Sequence, residues 1–460
     1  MKKSLLAELI GFRKKEKVSM HIPGHKSGRG LGAYFVRNAF DIDVTEVEGT
    51  DDLQNPTGIL SDAQKRCAKA FGAYKSYFLT EGSSLGLRAA VIAACGRGGK
   101  LLIDRTCHKS IVSGIILGGI EPIFISPDFD KEKGLYVGVS AAAIGHMLEQ
   151  NPDICGAVIT SPTYYGICSD IAEIAAVLHS RGKILIVDEA HGAHFTFSRE
   201  LPKSAVSLGA DVCIQSAHKT LPALGQCSLL HVSQNSLINI NRLEKILTLL
   251  RTTSPSYLLM TSIDESVRVM NKCGGRKLSR LIREIERLKT EVSEKTVISF
   301  LDSKNFFREQ DKTRIVADFS AAEISGKFAE ELLINEFGIY PEMSDNRYVV
   351  FVPSVSTTKR EIRQLCAALI SIGGRRFKDS RAEQNTPLPD IKLEYIPCEV
   401  TDMICESVDI ENCVGRVSAQ VISVCPPGAA IVVPGQIISR EIVDYIKNNN
   451  DIKQIDVIKM

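Results

Sequence analysis

The sequence predicts an α/β protein built on a doubly wound, mostly parallel sheet, with smaller C-terminal α/β domains after it. Two observations carry the prediction. Between positions 76 and 230 short apolar runs recur, each ending in a polar cluster and most leading into a helical pattern. They include Leu101-Leu102-Ile103, Ile123-Phe124-Ile125, Ala157-Val158-Ile159, Ile184-Leu185-Ile186-Val187 and Val212-Cys213-Ile214. Runs that are apolar without alternation are strands covered on both faces, and helices between them return the chain in parallel. The second observation is length: 460 residues suit one large domain with one or two smaller ones.

Taken in order, residues 1–17 read as an amphipathic helix whose short apolar patch is broken by Glu8, neither exported nor membrane-spanning. In residues 21–30, Pro23 and three glycines make a loop, and His21 and His25, four apart with no helix beneath them, are a poor metal site; no metal is expected. An acidic segment with Glu46, Asp51 and Asp52 comes next, which alone reads as a solvated loop. A strand over 76–79 leads into Thr80-Glu81-Gly82-Ser83-Ser84-Leu85-Gly86 and then a helix over 87–95. A small-residue turn opening a helix offers N–H groups and hydroxyls to an anion, although many strand-to-helix turns look alike. His108 sits in a polar cluster after the strand at 101–103, and Pro162 and Gly166 mark a turn after the one at 157–159.

Downstream, Leu278, Leu281, Ile282, Ile285, Leu288 and Val292 trace one face of a long linking helix. Strand, helix, strand and helix come after it over 314–319, 327–337, 348–353 and 358–372, and a polar linker covers 375–389. The expected division is 1–40 (helix and arm), 41–275 (large domain), 276–375 (linking helix and small domain) and 376–460 (C-terminal domain).

Chemistry concentrates where two strands end. Lys183–Val187 closes on Asp188-Glu189-Ala190-His191, and Val212-Cys213-Ile214 leads into Gln215-Ser216-Ala217-His218-Lys219-Thr220. Their separation of 31 residues (219 minus 188) leaves room for a parallel crossover, so Asp188 and Lys219 share one rim of the sheet, where ligands of such folds bind. On its hexapeptide alone Lys219 is an exposed strand-end lysine; beside a rim carboxylate it gains another reading. A half-shielded lysine is readily neutral and attacks an aldehyde, and a carboxylate holds a proton on a pyridine nitrogen, which are the two needs of pyridoxal phosphate.

With these residues the chain resembles the fold-type I pyridoxal-phosphate enzymes, specifically the ornithine/lysine/arginine decarboxylase family, from His21 to about Gly435 and most strongly from Glu81 to Tyr257. The resemblance implies an aspartate-aminotransferase-like large domain and decarboxylation of arginine, lysine or ornithine to a polyamine-pathway amine. It places the cofactor on Lys219, its ring nitrogen on Asp188, His108 and Ala190 on its two faces, and its phosphate on Ser83, Ser84, Ser216 and His218. His191 comes near the ring edge, and Thr253 and Ser254 reach the neighbouring subunit's phosphate across a homodimer. The 21–30 arm and the turn at 162–166 would border the pocket. Glu46, Asp51, Asp52, Glu342 and Asp345 are the candidates for the substrate's distal cation. Two residues depart from the family pattern, Cys425 where it usually has Tyr and Gln436 where it usually has Glu.

Composition narrows the alternatives. A net charge of +2 on 460 residues gives no polyanion-binding field, so neither nucleic acid nor a membrane is an expected partner. Thirteen scattered cysteines, odd in number and without a Cys-x-x-Cys pair, suggest reduced thiols and a cytoplasmic location. The Asp-Glu-Ala-His word also occurs in helicases, but Gly99-Lys100 and Gly326-Lys327 both lack the upstream glycine and the following Ser or Thr of a phosphate loop. An aminotransferase on the same fold and a homologue that binds the cofactor without activity remain the alternatives.

Overall fold

The structure is a computed structural model that describes residues 4–302, 308–377, 385–423, 428–449 and 452–459. Cys425, Pro426 and Pro427 lie outside the described residues.

The first helix, α1 (Leu5–Lys15), is capped by Ser4, whose hydroxyl accepts from the Ala7 amide. Its apolar residues Leu5, Leu6, Leu9 and Ile10 are exposed on the single chain. The large sheet is built from β1 (Lys75–Leu79), β2 (Lys100–Asp104), β3 (Glu121–Ile125), β4 (Ile154–Thr160), β5 (Ile184–Asp188), β6 (Val212–Gln215) and β7 (Ser228–Val232). The strand order is β1-β7-β6-β5-β4-β2-β3. Strand β7 runs antiparallel to both neighbours, and every other pairing in this sheet is parallel. The doubly wound, mostly parallel sheet is therefore as the apolar runs indicated.

Unbroken apolar strands arise because alternate side chains feed two different cores. Leu101, Ile103, Val158, Ile186, Val212 and Ile214 pack with α2 (Ser83–Ala94) and α3 (Lys109–Gly118) on one face. Leu102, Ala157, Ile159, Leu185, Val187 and Cys213 pack on the other with α4 (Ile171–His179). Neither face meets water, so neither needs polar residues.

The linking helix is longer than its apolar stripe suggested. It runs as α5 from Tyr257 to Lys295, 39 residues, and so crosses the division expected at 275/276. Buried Met260, Ile263, Val267 and Met270 carry the stripe back toward Ser256, whose hydroxyl caps the first turn. The Gly274-Gly275 pair does not interrupt it, since Gly274 is buried with Met270 packed over it.

Beyond it lies a four-stranded antiparallel sheet with β8 (Ile315–Asp318) and β9 (Tyr348–Phe351) at its centre. It is covered by α5 and by α6 (Lys359–Gly373), which opens on a capping box between Thr358 and Glu361. The C-terminal segment forms two short antiparallel pairs and α7 (Arg440–Asn449) around Ile442, Val443, Ile446, Ile455 and Val457. It is docked on the large sheet by the buried Arg105, which donates to the carbonyls of Pro389 (3.0 and 3.1 Å) and Ile431 (2.8 Å). The twelve described cysteines are all free thiols, and no helix among the described residues is long and apolar enough to cross a membrane.

Candidate active site

The carboxyl ends of β1, β5 and β6 open into one cavity of about 600 Å³. Of the residues singled out from the sequence, Ser83, Ser84, His108, Asp188, Ala190, His191, Ser216, His218 and Lys219 all line it. The small domain adds Met343 to Asn346, and the C-terminal segment adds Ala429, Ile431 and Tyr445.

Lys219 lies in the one-turn helix Ala217–Thr220 directly after β6. Its Nζ is 3.0 Å from His191 Nε2, and the other ring nitrogen, Nδ1, is 3.2 Å from Nη2 of the buried Arg314. Burial, together with the charges of Lys219 and Arg314, holds His191 well below the ordinary histidine range. Asp188 ends β5 and is buried; burial raises its carboxyl, while the Lys219 charge and the Ala190 amide (3.1 Å) oppose the shift.

At the start of α2 three hydroxyls meet. Ser83 Oγ is 2.8 Å from Ser216 Oγ and 3.2 Å from Ser228 Oγ. Gly82 precedes them at φ 78°, and no side chain caps the helix, so the first-turn N–H groups receive no side-chain acceptor. Hydroxyls and a helix N-terminus in one corner are the donor set that a phosphate requires.

His108 caps α3 through Ser110, with Nδ1 2.6 Å from the Ser110 hydroxyl, and burial beside Lys219 and Lys109 pushes it down to about 4. It is thus a neutral, flat ring at pH 7. The C-terminal segment closes on its edge: a Cβ on Gly428 would lie 2.8 Å from His108 Cδ2, at a φ of +79° that glycine alone adopts freely. His218 is likewise neutral, pushed by burial to about 4 against the pull of the Cys227 carbonyl, to which its Nδ1 is 2.9 Å.

Residues 4–317 match the family model described as Orn/Lys/Arg decarboxylase, major domain, and residues 383–455 match that family's C-terminal domain. The chain belongs to the Orn/Lys/Arg decarboxylase family. It is accordingly a decarboxylase, a lyase. The arginine decarboxylase of Bacillus subtilis is 33% identical over 449 residues, 95% of this chain and 91% of that protein. The arginine decarboxylase of Bacillus anthracis is 32% identical over 97% of this chain and 92% of its own length. Among solved structures, lysine decarboxylase A from Pseudomonas aeruginosa superposes with a TM-score of 0.78 at 19% identity, over 95% of this chain and 77% of that one. An alanine–glyoxylate aminotransferase from Nostoc superposes at 0.60 and 15% identity, over 78% of this chain and 95% of that one. These superpositions bear on the fold alone.

In this decarboxylase the remaining predicted residues fall into different places. The 21–30 arm packs beside the lysine loop, where the Gly24 amide donates to the His218 carbonyl at 2.7 Å. A Cβ on Gly24 would sit 2.4 Å from the Leu221 carbonyl oxygen, so glycine alone allows this approach. Asp345 lines the cavity, its carboxylate oriented by the Tyr165 hydroxyl (2.5 Å) and the amides of Arg347 and Tyr348 (2.7 Å each). Glu342 instead ties the Tyr164 hydroxyl (2.6 Å) to the Ile22 amide (2.9 Å). Asp51 is taken up by four backbone amides, those of Asp52, Thr57, Gly58 and Leu60, and neither it nor Glu46 or Asp52 borders the cavity. Thr253 and Ser254 are exposed on the loop before α5 and do not line the cavity of their own chain. Gln436 is wholly buried in a turn, accepting from the Val433 amide at 3.0 Å, outside the cavity.

Two site residues escaped sequence reasoning. Ser228 is one more small residue at a strand start, and Arg314 is a cation ahead of an apolar strand; that cation was the only available hint.

Behind Arg314, Asp311 accepts from Thr313 through both the amide (2.8 Å) and the hydroxyl (2.7 Å), faces His194 at 3.2 Å, and lies 4.0 Å from Arg314. Burial pushes its carboxyl up, yet His194 and Arg314 outweigh this and hold it at about 2. A carboxyl depressed on folding stabilises the fold fully above its unfolded value of about 3.9 and loses that contribution as pH falls toward 2. The contribution is about 2 kcal/mol. Asp311→Asn should therefore lower stability at pH 7 and flatten its dependence between pH 5 and pH 2, as denaturant titrations at several pH values would report. A variant that follows the wild-type slope contradicts the assignment.

Proposed function

We propose that this enzyme decarboxylates a basic amino acid with pyridoxal phosphate as cofactor, arginine ahead of lysine or ornithine, giving an amine for polyamine synthesis and CO2. The observation that carries the reading is one cavity lined by Lys219, the buried Asp188, Ser83 and Ser216, with Ser228 hydrogen-bonded behind Ser83. That set fits the cofactor group by group. Ser83, Ser84, Ser216, His218 and the α2 N-terminus would hold the phosphate, Asp188 the ring nitrogen, Lys219 the aldehyde carbon, and His108 and Ala190 the two faces. When bound, pyridoxal phosphate supplies a protonated ring that takes up the electron pair left behind as CO2 departs.

The protein's own residues do the rest. The buried Asp188 carboxylate keeps a proton on a basic nitrogen beside it, because a lone negative charge in that position is costly. Lys219 would hold the cofactor until the substrate's α-amine binds, and its side chain lines the cavity. Met343, Ala429, Ile431 and Tyr445 add apolar surface to the cavity lining. The reaction takes up one proton at Cα, converting R–CH(NH3+)–COO− and H+ into R–CH2–NH3+ and CO2. A long cationic side chain left unpaired inside would cost several kcal/mol. Asp345, the one member of the predicted acidic set that borders the cavity, is the partner proposed for it. The full-length Bacillus relatives named as arginine decarboxylases favour arginine.

Arginine, lysine and ornithine offered separately to the purified enzyme, with CO2 and agmatine, cadaverine or putrescine measured, test this reading. CO2 with agmatine and no keto acid is the expected result. Keto acid with pyridoxamine phosphate would make the protein an aminotransferase, and no turnover of any of the three would leave a cofactor-binding homologue without this activity.

A further inference from the structure

We propose that Arg314 is a positioning residue that fixes the proton of His191 on Nε2 and, through that ring, presents Lys219 as a neutral amine. Its purpose rests on the cofactor reading above; its geometry does not.

His191 is flanked by two groups that both carry donors. Arg314 Nη2 is 3.2 Å from Nδ1, and Lys219 Nζ is 3.0 Å from Nε2. A guanidinium has five N–H donors, no acceptor, and keeps its proton in proteins, so Nδ1 must be the accepting nitrogen. The ring is buried between two basic groups, with His218 and His194 nearby and the Tyr164 ring 4.5 Å away between centroids. It therefore carries a single proton, which the Arg314 contact places on Nε2. An Nε2–H facing Nζ at 3.0 Å is a hydrogen bond only if Nζ accepts, and only a neutral amine accepts. The opposite arrangement, an ammonium donating to Nε2, would set an Nδ1–H against the Arg314 N–H. Of the two neighbours, lysine is the one able to give up its proton.

The charged groups around the pair agree with a role through hydrogen-bond polarity. Asp311, 4.0 Å from Arg314 Nη2, offsets the guanidinium charge, and Arg314 is only 1% exposed. Its Nε and Nη1 have no hydrogen-bond partner among the described residues. The polar work of Nη2 is thus directed at His191 and Asp311. Asp188 pulls the other way by favouring an ammonium, and His108 is the third titratable group influenced by Lys219. An amine attacks a carbonyl only with its lone pair available, so this arrangement readies Lys219 before any cofactor arrives.

The test uses the cofactor-free full chain. Lys219 is labelled by reductive methylation with formaldehyde and cyanoborohydride at about pH 7.5, and the peptide that bears it is quantified by mass spectrometry. Arg314→Met is expected to slow labelling about tenfold, the consequence of a shift of one pH unit in the amine's ionisation. His191→Phe should slow it as well, and Arg314→Met should add nothing in the His191→Phe background. Additive effects would mean that Arg314 acts by through-space charge and would overturn the proposal. Nitrogen-15 histidine spectra of the wild-type chain decide independently of whether the variants fold: His191 protonated on Nε2 supports it, and a proton on Nδ1 overturns it. Neither readout involves pyridoxal phosphate, so an error in the cofactor assignment would appear only in borohydride mapping of the loaded enzyme.

Discussion

Lys219→Ala should reduce turnover by about 10⁴-fold or more, the scale on which removal of a covalent catalytic group is felt. Borohydride reduction of the loaded wild-type enzyme should leave a pyridoxyl label on the peptide that contains Lys219. The side chain projects into the cavity from a one-turn helix held by backbone bonds, Lys219 N to Ser216 O at 3.2 Å and Leu221 N to Ala217 O at 2.8 Å. Truncating it removes no core packing. The variant should therefore fold and melt like the wild type, and its loss of activity would not be a loss of structure. Label on another lysine, or substantial turnover by the variant, would remove the central assignment.

The parts of this site that could be read in the sequence are those set by a single strand and the few residues directly after it. Ile184-Leu185-Ile186-Val187 had to be a doubly covered strand because it offers no polar face, and its neighbour at Val212-Cys213-Ile214 had to end on the same rim. Asp188 and Lys219 were thereby paired without knowledge of the tertiary structure. Ser228 and Arg314 could not be found this way. Ser228 reaches Ser83 because β7 runs against β6, and Arg314 reaches His191 because the small domain folds back onto the large one. Both contacts depend on packing between distant segments, which local pattern does not encode. The start of α5 was missed for a related reason: Ser262 and Ser266 are buried on its inner face, so the stripe before Leu278 looks less apolar than the core it enters. Gln436, which departs from the family pattern, is buried in its own turn and accepts from the Val433 amide there.

Asp188→Asn separates function from stability, because the two effects have opposite signs. Burial raises the Asp188 carboxyl above its ordinary value, and neighbouring Lys219 and one backbone bond from Ala190 only partly oppose this. For an acid raised on folding, the sign runs against stability at high pH: the cost is absent below the unfolded value of about 3.9, grows above it, and is complete once pH exceeds the folded value. At pH 7 the cofactor-free wild type therefore bears the cost of burying that carboxyl. Asparagine has the same shape and can still accept from the Ala190 amide without the charge. The cofactor-free variant should therefore be as stable as the wild type or more so at pH 7, with the difference vanishing near pH 4, as thermal melts at the two pH values would show. Turnover should move the other way. An amide cannot hold a proton on the cofactor's ring nitrogen, and losing one preorganised electrostatic partner costs on the order of a thousandfold. The proposed phosphate donors at Ser83, Ser84, Ser216 and His218 are untouched, so the variant should still take up pyridoxal phosphate. A stable, loaded and nearly inactive protein is the expected result. Near-normal turnover would show that the carboxylate has no part in the chemistry, and a variant that fails to fold would show that Asp188 stabilises the sheet rim it terminates.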